Sequence, residues 1–263
     1  MAENNKNTKW IWISLIFLSA LYLSWKYNDK LFFVINGFYS TVLAYPMIFM
    51  TAMADGLFVL MISAAAYSRK RGYYWVFILA YIISTLIVHA IKNSYPSKRP
   101  LAYYPIEQLY YAGEILKFQS FPSGHSAAAL VLSSYMAHGR GKYAIMLIYA
   151  LGISAAVSRV YIGVHFPLDV VAGSMIGFLT THIVFYYAEK RNRHQSRPEY
   201  KYNEILISLT GLTSAVMYLF FNNDMYQPLS YFINIVALFF TLFFITRLTM
   251  LFLNVYRNKE NAQ

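Results

Sequence analysis

Cysteine is absent from the 263-residue chain, which excludes disulfide bonds and thiolate metal sites. Charged residues are also scarce, since Asp, Glu, Lys and Arg make up 13% of the sequence, against about 25% in a typical soluble domain. Hydrophobic residues instead reach 58%, where about 45–50% is usual. This composition argues against a soluble enzyme and against an intrinsically disordered chain.

The hydrophobic residues occur in long uncharged blocks. Twenty residues without a charge separate Arg71 from Lys92, and twenty-two separate Asp224 from Arg247. A bilayer core of ~30 Å needs about 20 mostly apolar helical residues, so we predict an all-α polytopic membrane protein. The mixed segment 26–40 is expected to lie along the interface. About eight spans are expected, near residues 10–25, 42–68, 72–91, 124–137, 143–160, 167–188, 205–222 and 229–253.

Basic residues indicate how these spans are oriented. Eight spans place both termini on one side, together with fourteen of the Lys and Arg residues, whereas the other side holds seven. Since cytoplasmic loops are enriched in Lys and Arg, we expect cytoplasmic termini in a cell (inner) membrane. The net charge of +11 then reports topology, and no nucleic-acid partner is expected. We divide the chain into a transmembrane core, residues 1–190, and a basic cytoplasmic loop with a C-terminal transmembrane hairpin, residues 191–263.

Polar residues gather at the ends of spans three to six. Lys92 and Arg99 stand at the end of span three, residues 122–125 open span four, and residues 158–169 connect span five to span six. All of these ends lie on the outward side of the predicted topology. If the four spans form a bundle, their ends can therefore converge on one pocket.

The charges in these segments suit an anion with several oxygens. Lys92, Arg99 and Arg159 are three cations, and guanidinium groups match phosphate oxygens in pairs while lysine supplies a point charge. Ser123 and Gly124 stand where a helix is expected to begin, so free backbone N–H groups and the helix dipole add affinity for an anion. A phosphoryl group is the ligand that these residues predict.

Two histidines offer complementary chemistry beside this anion site. His165 and Asp169 have i, i+4 spacing, which puts them on one helical face if the helix has begun by His165. A carboxylate that binds one ring nitrogen leaves the other free as a nucleophile. His125 comes from another helix and can protonate a leaving oxygen near neutral pH.

Three motifs carry these residues in a fixed order. They read Lys92…Arg99–Pro100, Pro122–Ser123–Gly124–His125 and Ser158–Arg159…His165…Asp169. Their order and spacing resemble the type 2 phosphatidic acid phosphatase (PAP2) superfamily, which also includes vanadium haloperoxidases. The resemblance covers about residues 43–188 and implies a six-helix PAP2-like core, to which the C-terminal hairpin is an addition.

The resemblance also implies roles for the motif residues. His165 becomes transiently phosphorylated, Asp169 supports it, and His125 acts as the acid on the leaving group. No metal and no cofactor are expected. The residues expected to hold the phosphate are Lys92, Arg99, Ser123, Gly124 and Arg159.

The expected substrate is a lipid phosphate or diphosphate, of the undecaprenyl diphosphate or lipid A type, hydrolysed on the non-cytoplasmic face. A phosphotransferase that passes the phosphoryl group to another lipid would have the same motifs. Outside this class, the alternatives are a membrane transporter and a non-catalytic lipid-binding protein. The lipid, the acceptor and the oligomeric state stay open.

Two further features have more than one interpretation. Asp55–Gly56 interrupts the second block, and a capping role for Asp55 is favoured, although an acid inside a membrane block is also a functional candidate. The C-terminal hairpin carries no motif. It could line a lipid groove, hold a dimer or only pack against the core.

Overall fold

The computed structural model describes residues 2–67, 74–113, 115–192, 201–221, 226 and 228–260. Within these ranges the regular secondary structure is helical, with one isolated antiparallel bridge between Lys98 and Phe118. The basic loop at residues 193–200 lies outside the described residues. The α-helices are α1 (Ala2–Lys26), α2 (Asn28–Gly37), α3 (Thr41–Met53), α4 (Gly56–Ala65), α5 (Tyr74–Ser94), α6 (Gly124–Ala137), α7 (Lys142–Tyr161), α8 (Pro167–Asn192), α9 (Lys201–Phe221) and α10 (Ser230–Glu260).

The helices confirm the prediction of an all-α membrane protein. α5, α7, α8, α9 and α10 are each long and apolar enough to cross a membrane, and two bent pairs, α1–α2 and α3–α4, raise the number of candidate spans to as many as seven. Large apolar side chains such as Trp12 and Ile16 are well exposed, as lipid-facing residues are. The 14-residue α6 is shorter than the about 20 residues that a full span needs, so the count of eight spans stays a prediction.

α2 turns by 91° from α1 and is held at the end of the bundle where α7 ends and α8 begins. The Asn36 amide donates to the carbonyls of Tyr110 and Tyr161, both at 2.8 Å. Its Oδ1 accepts from the Tyr110 N–H at 3.0 Å. Asn28 Oδ1 accepts from the Leu168 N–H in the first turn of α8. The mixed segment 26–40 is therefore hydrogen-bonded to the end of α7, to the start of α8 and to the loop at Tyr110.

α6 is the most buried helix of the motif region, and it packs against α7 and α8. Its small side chains allow this close packing, and so do glycines on the neighbouring helices. A Cβ on Gly173 of α8 would meet the backbone of Ser123, and one on Gly177 would meet the backbone of Ala127. This G-x3-G pair lets the α6 and α8 backbones touch, which fixes the start of α6 against the start of α8.

The second hydrophobic block is broken where the sequence predicted. α3 and α4 meet at an angle of 76°, and Asp55 caps α4 because its Oδ1 accepts from the Leu57 N–H at 2.9 Å. The preferred interpretation of Asp55 as a cap is thus confirmed. The second carboxylate oxygen of Asp55 accepts from the Tyr226 hydroxyl at 3.4 Å.

The C-terminal hairpin shares a hydrophobic core with the motif-bearing helices. α9 packs on α10 and on α4, with the Tyr218 ring edge-on to Phe58 at 4.6 Å between centroids. Arg247 of α10 donates to the Ala64 carbonyl at 3.1 Å. The division of the chain at residue 190 stays a prediction, but one hydrophobic cluster joins residues from both sides of it.

Candidate active site

The structure brings the predicted site residues together at one end of the bundle. Lys92 and Arg159 lie in the last turns of α5 and α7, whereas α6 and α8 begin there. The charges of Lys92, Arg99 and Arg159 act on both the His125 and His165 rings. Four helix ends therefore supply one compact, strongly cationic site.

His165 and Asp169 are both buried and in contact. His165 Nδ1 lies 3.4 Å from Asp169 Oδ2, but α8 begins only at Pro167, so a shared helical face is not the reason. Asp169 is the third residue of α8, and its Oδ2 accepts from the Phe166 N–H at 2.9 Å. This is the acid half of a capping box, and it turns the carboxylate back toward His165.

The environment of His165 favours a neutral ring with a free Nε2 lone pair. Burial, and then the charges of Arg99 and Arg159, lower the pKa of His165 well below its ordinary value. Nε2 lies 3.4 Å from Arg99 Nη1, which can only donate. We therefore assign the proton to Nδ1, where it points to Asp169. This tautomer is the one that a nitrogen nucleophile requires.

Ser120 was missed by the sequence reasoning, although it completes this pair. Its hydroxyl donates to Asp169 Oδ2 at 2.5 Å and lies 3.4 Å from His165 Nδ1. Backbone bonds from Ser120 N to Ser97 O and from Arg99 N to Lys117 O hold the two segments antiparallel. No spacing in the three motifs predicts the contact between Ser120 and Asp169, because the contact depends on backbone pairing within the loop between α5 and α6.

Backbone carbonyls hold two of the cations in place. Arg99 donates from Nε to the Phe118 carbonyl at 2.9 Å and from Nη1 to the Val164 carbonyl at 3.2 Å. Lys92 Nζ donates to the Gln119 carbonyl at 2.8 Å, and Arg99 Nη2 reaches the same oxygen at 3.5 Å. Gln119 has a left-handed φ of 57°. The cations are thus oriented by the loop before any anion binds.

Arg159 is a buried cation with an unused hydrogen-bond donor among the described residues. It is 6% exposed, and within the described residues its Nε–H has no hydrogen-bond partner. Leaving a buried donor of a charged group unpaired costs about 1–3 kcal/mol or more. Arg159 borders a small cavity of about 20 Å³ that Tyr226 also lines. A phosphoryl oxygen there would satisfy the free donor.

The start of α6 offers backbone donors of the predicted kind. Ser123 is the N-cap of α6, and its Oγ accepts from the Ser126 N–H at 3.3 Å. The Ser123 N–H donates to the Asp169 carbonyl at 2.9 Å. Since the first N–H groups of a helix lack intrahelical partners, those of Gly124 and His125 are the ones available to an anion. Ser123 can contribute only its hydroxyl proton.

His125 faces two residues that lie outside the motifs. Its Nε2 lies 3.3 Å from the Tyr226 hydroxyl and 3.9 Å from Asp55 Oδ2. A cavity of about 120 Å³ between α4, α5 and α6 adjoins His125 and Gly124. Among the described residues, no group of three or more His, Asp or Glu side chains is placed to hold a metal ion. Metal independence stays a prediction.

Ser120→Ala is expected to lower kcat by about 10-fold with little change in KM, because Ser120 holds the carboxylate that orients His165 and a small misplacement of a reacting group lowers the rate. The substitution removes a donor to Asp169 without touching the bound phosphate. Ser94→Ala is the matched control, because Ser94 only donates to the Ala90 carbonyl of its own helix. An equal loss in both variants, measured as phosphate release, would contradict the role given to Ser120.

The fold and the site define an all-helical membrane protein with three cations gathered around two histidines. A family model described as the PAP2 superfamily matches residues 73–193, which contain every predicted site residue. Over these residues, which carry all three motifs, the chain matches the PAP2 superfamily. The resemblance inferred from the three motifs is therefore confirmed.

Curated relatives are similar over part of the chain. The bacitracin transport permease protein BcrC of Bacillus licheniformis is 29% identical over 52% of this chain and 66% of its own length. An undecaprenyl-diphosphatase of Sulfolobus acidocaldarius is 26% identical over 64% of this chain and 85% of its own. A lipid A 1-phosphatase of Rhizobium johnstonii is 31% identical over 46% of this chain and 53% of its own length. Two of these matches thus span two thirds or less of the relative.

A solved structure confirms the fold. The crystal structure of Aquifex aeolicus LpxE is 28% identical, with a TM-score of 0.54, and the match covers 61% of this chain and 95% of that one. The shared part is close to the whole of that protein. The remainder of this chain therefore has no counterpart in LpxE.

Proposed function

We propose that this protein is a membrane phosphatase that hydrolyses a lipid phosphate or diphosphate on the non-cytoplasmic face, through a phosphohistidine at His165. The observation that carries the proposal is the geometry of His165, which is buried, with Nδ1 beside Asp169 and Nε2 beside Arg99. A neutral imidazole held in this way next to an anion site is arranged for attack on phosphorus.

In the first step, the lone pair of His165 Nε2 forms a bond to the terminal phosphorus while the bond from that phosphorus to the leaving oxygen breaks. The leaving oxygen is the lipid oxygen of a monophosphate or the bridging oxygen of a diphosphate. His125 gives a proton to that leaving oxygen. Asp169 stabilises the positive charge that develops on the phosphorylated ring through the Nδ1 proton. Arg99, Arg159 and Lys92 neutralise the phosphoryl oxygens in the transition state.

In the second step, a water molecule attacks the phosphorus of the phosphohistidine. His125, now neutral, takes a proton from this water, and the P–N bond breaks to release inorganic phosphate. His165 returns to its starting tautomer, since Asp169 has kept the Nδ1 proton in place throughout. No metal ion takes part in either step.

A lipid substrate is supported by where the site lies and by the relatives. The motif residues occur at the ends of membrane-crossing helices, so a phosphate bound there can keep its acyl or prenyl chain among the helices. The names of two relatives specify a prenyl diphosphate and lipid A. We place an undecaprenyl diphosphate first, because that relative is matched over most of its length.

The test is a substrate panel with purified protein in detergent and a metal chelator. Undecaprenyl diphosphate, lipid A, phosphatidic acid and a water-soluble phosphate ester are compared by phosphate release. We expect the lipids to be hydrolysed well and the soluble ester poorly. A strong preference for the soluble ester would overturn the lipid proposal but keep the catalytic one. If the phosphoryl group of the substrate is found on an added lipid acceptor, the protein is instead a phosphotransferase.

A transport function is the second candidate, because the name of the Bacillus relative specifies transport. A transporter that only binds a lipid phosphate would use the cations but would not need a histidine nucleophile. It would bind the panel lipids without releasing phosphate from any of them. Such an outcome would overturn the phosphatase proposal.

The orientation in the membrane gives a separate prediction. A reporter inserted within residues 105–115 should react with a membrane-impermeant reagent on intact cells, because fourteen of the basic residues lie on the opposite side of the predicted topology. The same reporter fused after residue 263 should react only after the cells are opened. The reverse result would place the site on the cytoplasmic face.

A further inference from the structure

The loop between α9 and α10 brings a tyrosine hydroxyl to His125. Tyr226 is 3% exposed, and its hydroxyl lies 3.3 Å from His125 Nε2 and 3.4 Å from Asp55 Oδ2. The loop that carries it joins the two helices of the C-terminal hairpin, and residues beyond 193 lie outside the family match. Part of the chain outside the PAP2 match therefore contacts one of the two histidines.

The hydrogen-bonding capacity of the three groups fixes the direction of this chain of contacts. Tyr226 has one proton, and the Asp55 carboxylate can only accept, so the Tyr226 hydroxyl donates to Asp55 Oδ2. Its oxygen then accepts from the His125 Nε2–H. This order leaves Nδ1 as the nitrogen of His125 that can serve the leaving oxygen.

The contact of His125 with Tyr226 and Asp55 bears on how the His125 ring holds a proton. An acid must carry a proton before the reaction, but burial, and then the charges of Arg159, Arg99 and Lys92, oppose a positive charge on the His125 ring. The Asp55 carboxylate lies 3.9 Å from Nε2, and its negative charge favours a proton on the ring. Tyr226 connects this charge to the ring through hydrogen bonds.

We propose that Tyr226 and Asp55 are positioning residues for His125, and that the C-terminal hairpin thereby completes the acid half of the active site. This inference rests on the proposed function. When the bond from phosphorus to the lipid oxygen breaks, the proton passes from His125 Nδ1 to that oxygen. The ring keeps its Nε2 proton, which stays hydrogen-bonded to the Tyr226 oxygen, while the Tyr226 hydroxyl keeps its own proton and stays hydrogen-bonded to Asp55.

The test compares two leaving groups, because an acid matters most for a basic one. Dodecyl phosphate releases an alkoxide that needs a proton, whereas 4-nitrophenyl phosphate releases a phenolate that does not. Tyr226→Phe should lower kcat on dodecyl phosphate about 10-fold and on 4-nitrophenyl phosphate by less than about 3-fold, with KM little changed. A general loss of folding would lower both alike.

Asp55→Asn provides a second variant that keeps the local structure. Asparagine caps a helix about as well as aspartate, so the bond to Leu57 survives while the charge is lost. We expect the same dependence on the leaving group as in Tyr226→Phe. In a His125→Ala background, neither substitution should reduce kcat further, because residues that act as a unit are not additive.

Tyr218→Phe is the matched control. Tyr218 is a buried tyrosine of the same hairpin, and within the described residues its hydroxyl has no hydrogen-bond partner. Tyr218→Phe should leave kcat unchanged on both dodecyl phosphate and 4-nitrophenyl phosphate. Equal losses on the two substrates in Tyr226→Phe and Asp55→Asn, or no loss in either, would overturn the inference. If the wild type releases phosphate from none of the panel lipids, the proposed function itself fails.

Discussion

His165→Ala should lower phosphate release from the lipid substrate by about 10⁴-fold or more, the scale on which removal of a nucleophile acts. The ring is buried against Asp169 and Ser120, and alanine leaves no group that can bond to phosphorus. The same variant should lose the acid-labile label that a substrate with radioactive phosphorus leaves on the wild-type protein. His125→Ala should instead slow turnover while the label on His165 still forms from an aryl phosphate.

The control for this prediction is His182→Ala. His182 lies toward the other end of α8, where its Nδ1 contacts the Phe178 carbonyl and its ring packs on Trp10. It should keep phosphate release within about 2-fold of wild type, as substitutions away from special features usually do. Label that persists in His165→Ala would show that another residue is the nucleophile.

The sequence predicted those parts of the site that depend on local signals. Pro122 and Ser123 mark a helix start, and α6 begins at Gly124 as expected. Pro167 occupies the first turn of α8, and its place explains why Asp169 reaches back to His165. The hydrophobic blocks predicted the positions of the helices, since charge density and proline act on the chain locally.

The remaining parts depend on contacts between distant segments. Ser120 reaches Asp169 because residues 117–120 pair with residues 97–99, and neither segment has the alternating pattern that predicts a strand. Tyr226 is 101 residues from His125 and is one of 25 tyrosines. Nothing in the composition of the hairpin distinguishes it. Asp55 could be singled out as an acid in an apolar block, but its partners could not.

The site shows how a cationic pocket is kept stable without its anion. Lys92 and Arg99 bind backbone carbonyls of the loop, and these dipoles hold the two charges where a phosphoryl group needs them. Among the described residues, the Nε–H of Arg159 has no hydrogen-bond partner, and a bound anion would supply one. Preorganised charge of this kind needs little rearrangement during the reaction.

Gly173→Ala is the second substitution with a large expected effect. The added Cβ would meet the Ser123 backbone, which cannot rotate away as a side chain can. Overpacking of this kind costs about 1–3 kcal/mol. α8 would have to move away from α6 and break the bond from the Ser123 N–H to the Asp169 carbonyl. Because a 1 Å misplacement in a site can cost about 10²-fold in rate, kcat should fall by a similar factor.

Thermal unfolding in detergent separates the two consequences when Gly173→Ala is compared with Gly177→Ala and Gly37→Ala. A Cβ on Gly177 meets the Ala127 backbone one turn farther along α6, whereas one on Gly37 meets nothing within 4 Å. Both α8 variants should melt at lower temperature than Gly37→Ala, and Gly173→Ala should lose more activity because its contact lies at the helix start where we propose that phosphate binds. Wild-type melting and wild-type activity in Gly173→Ala would mean that α6 and α8 do not touch at this point, and the geometry that joins Asp169 to the start of α6 would be wrong.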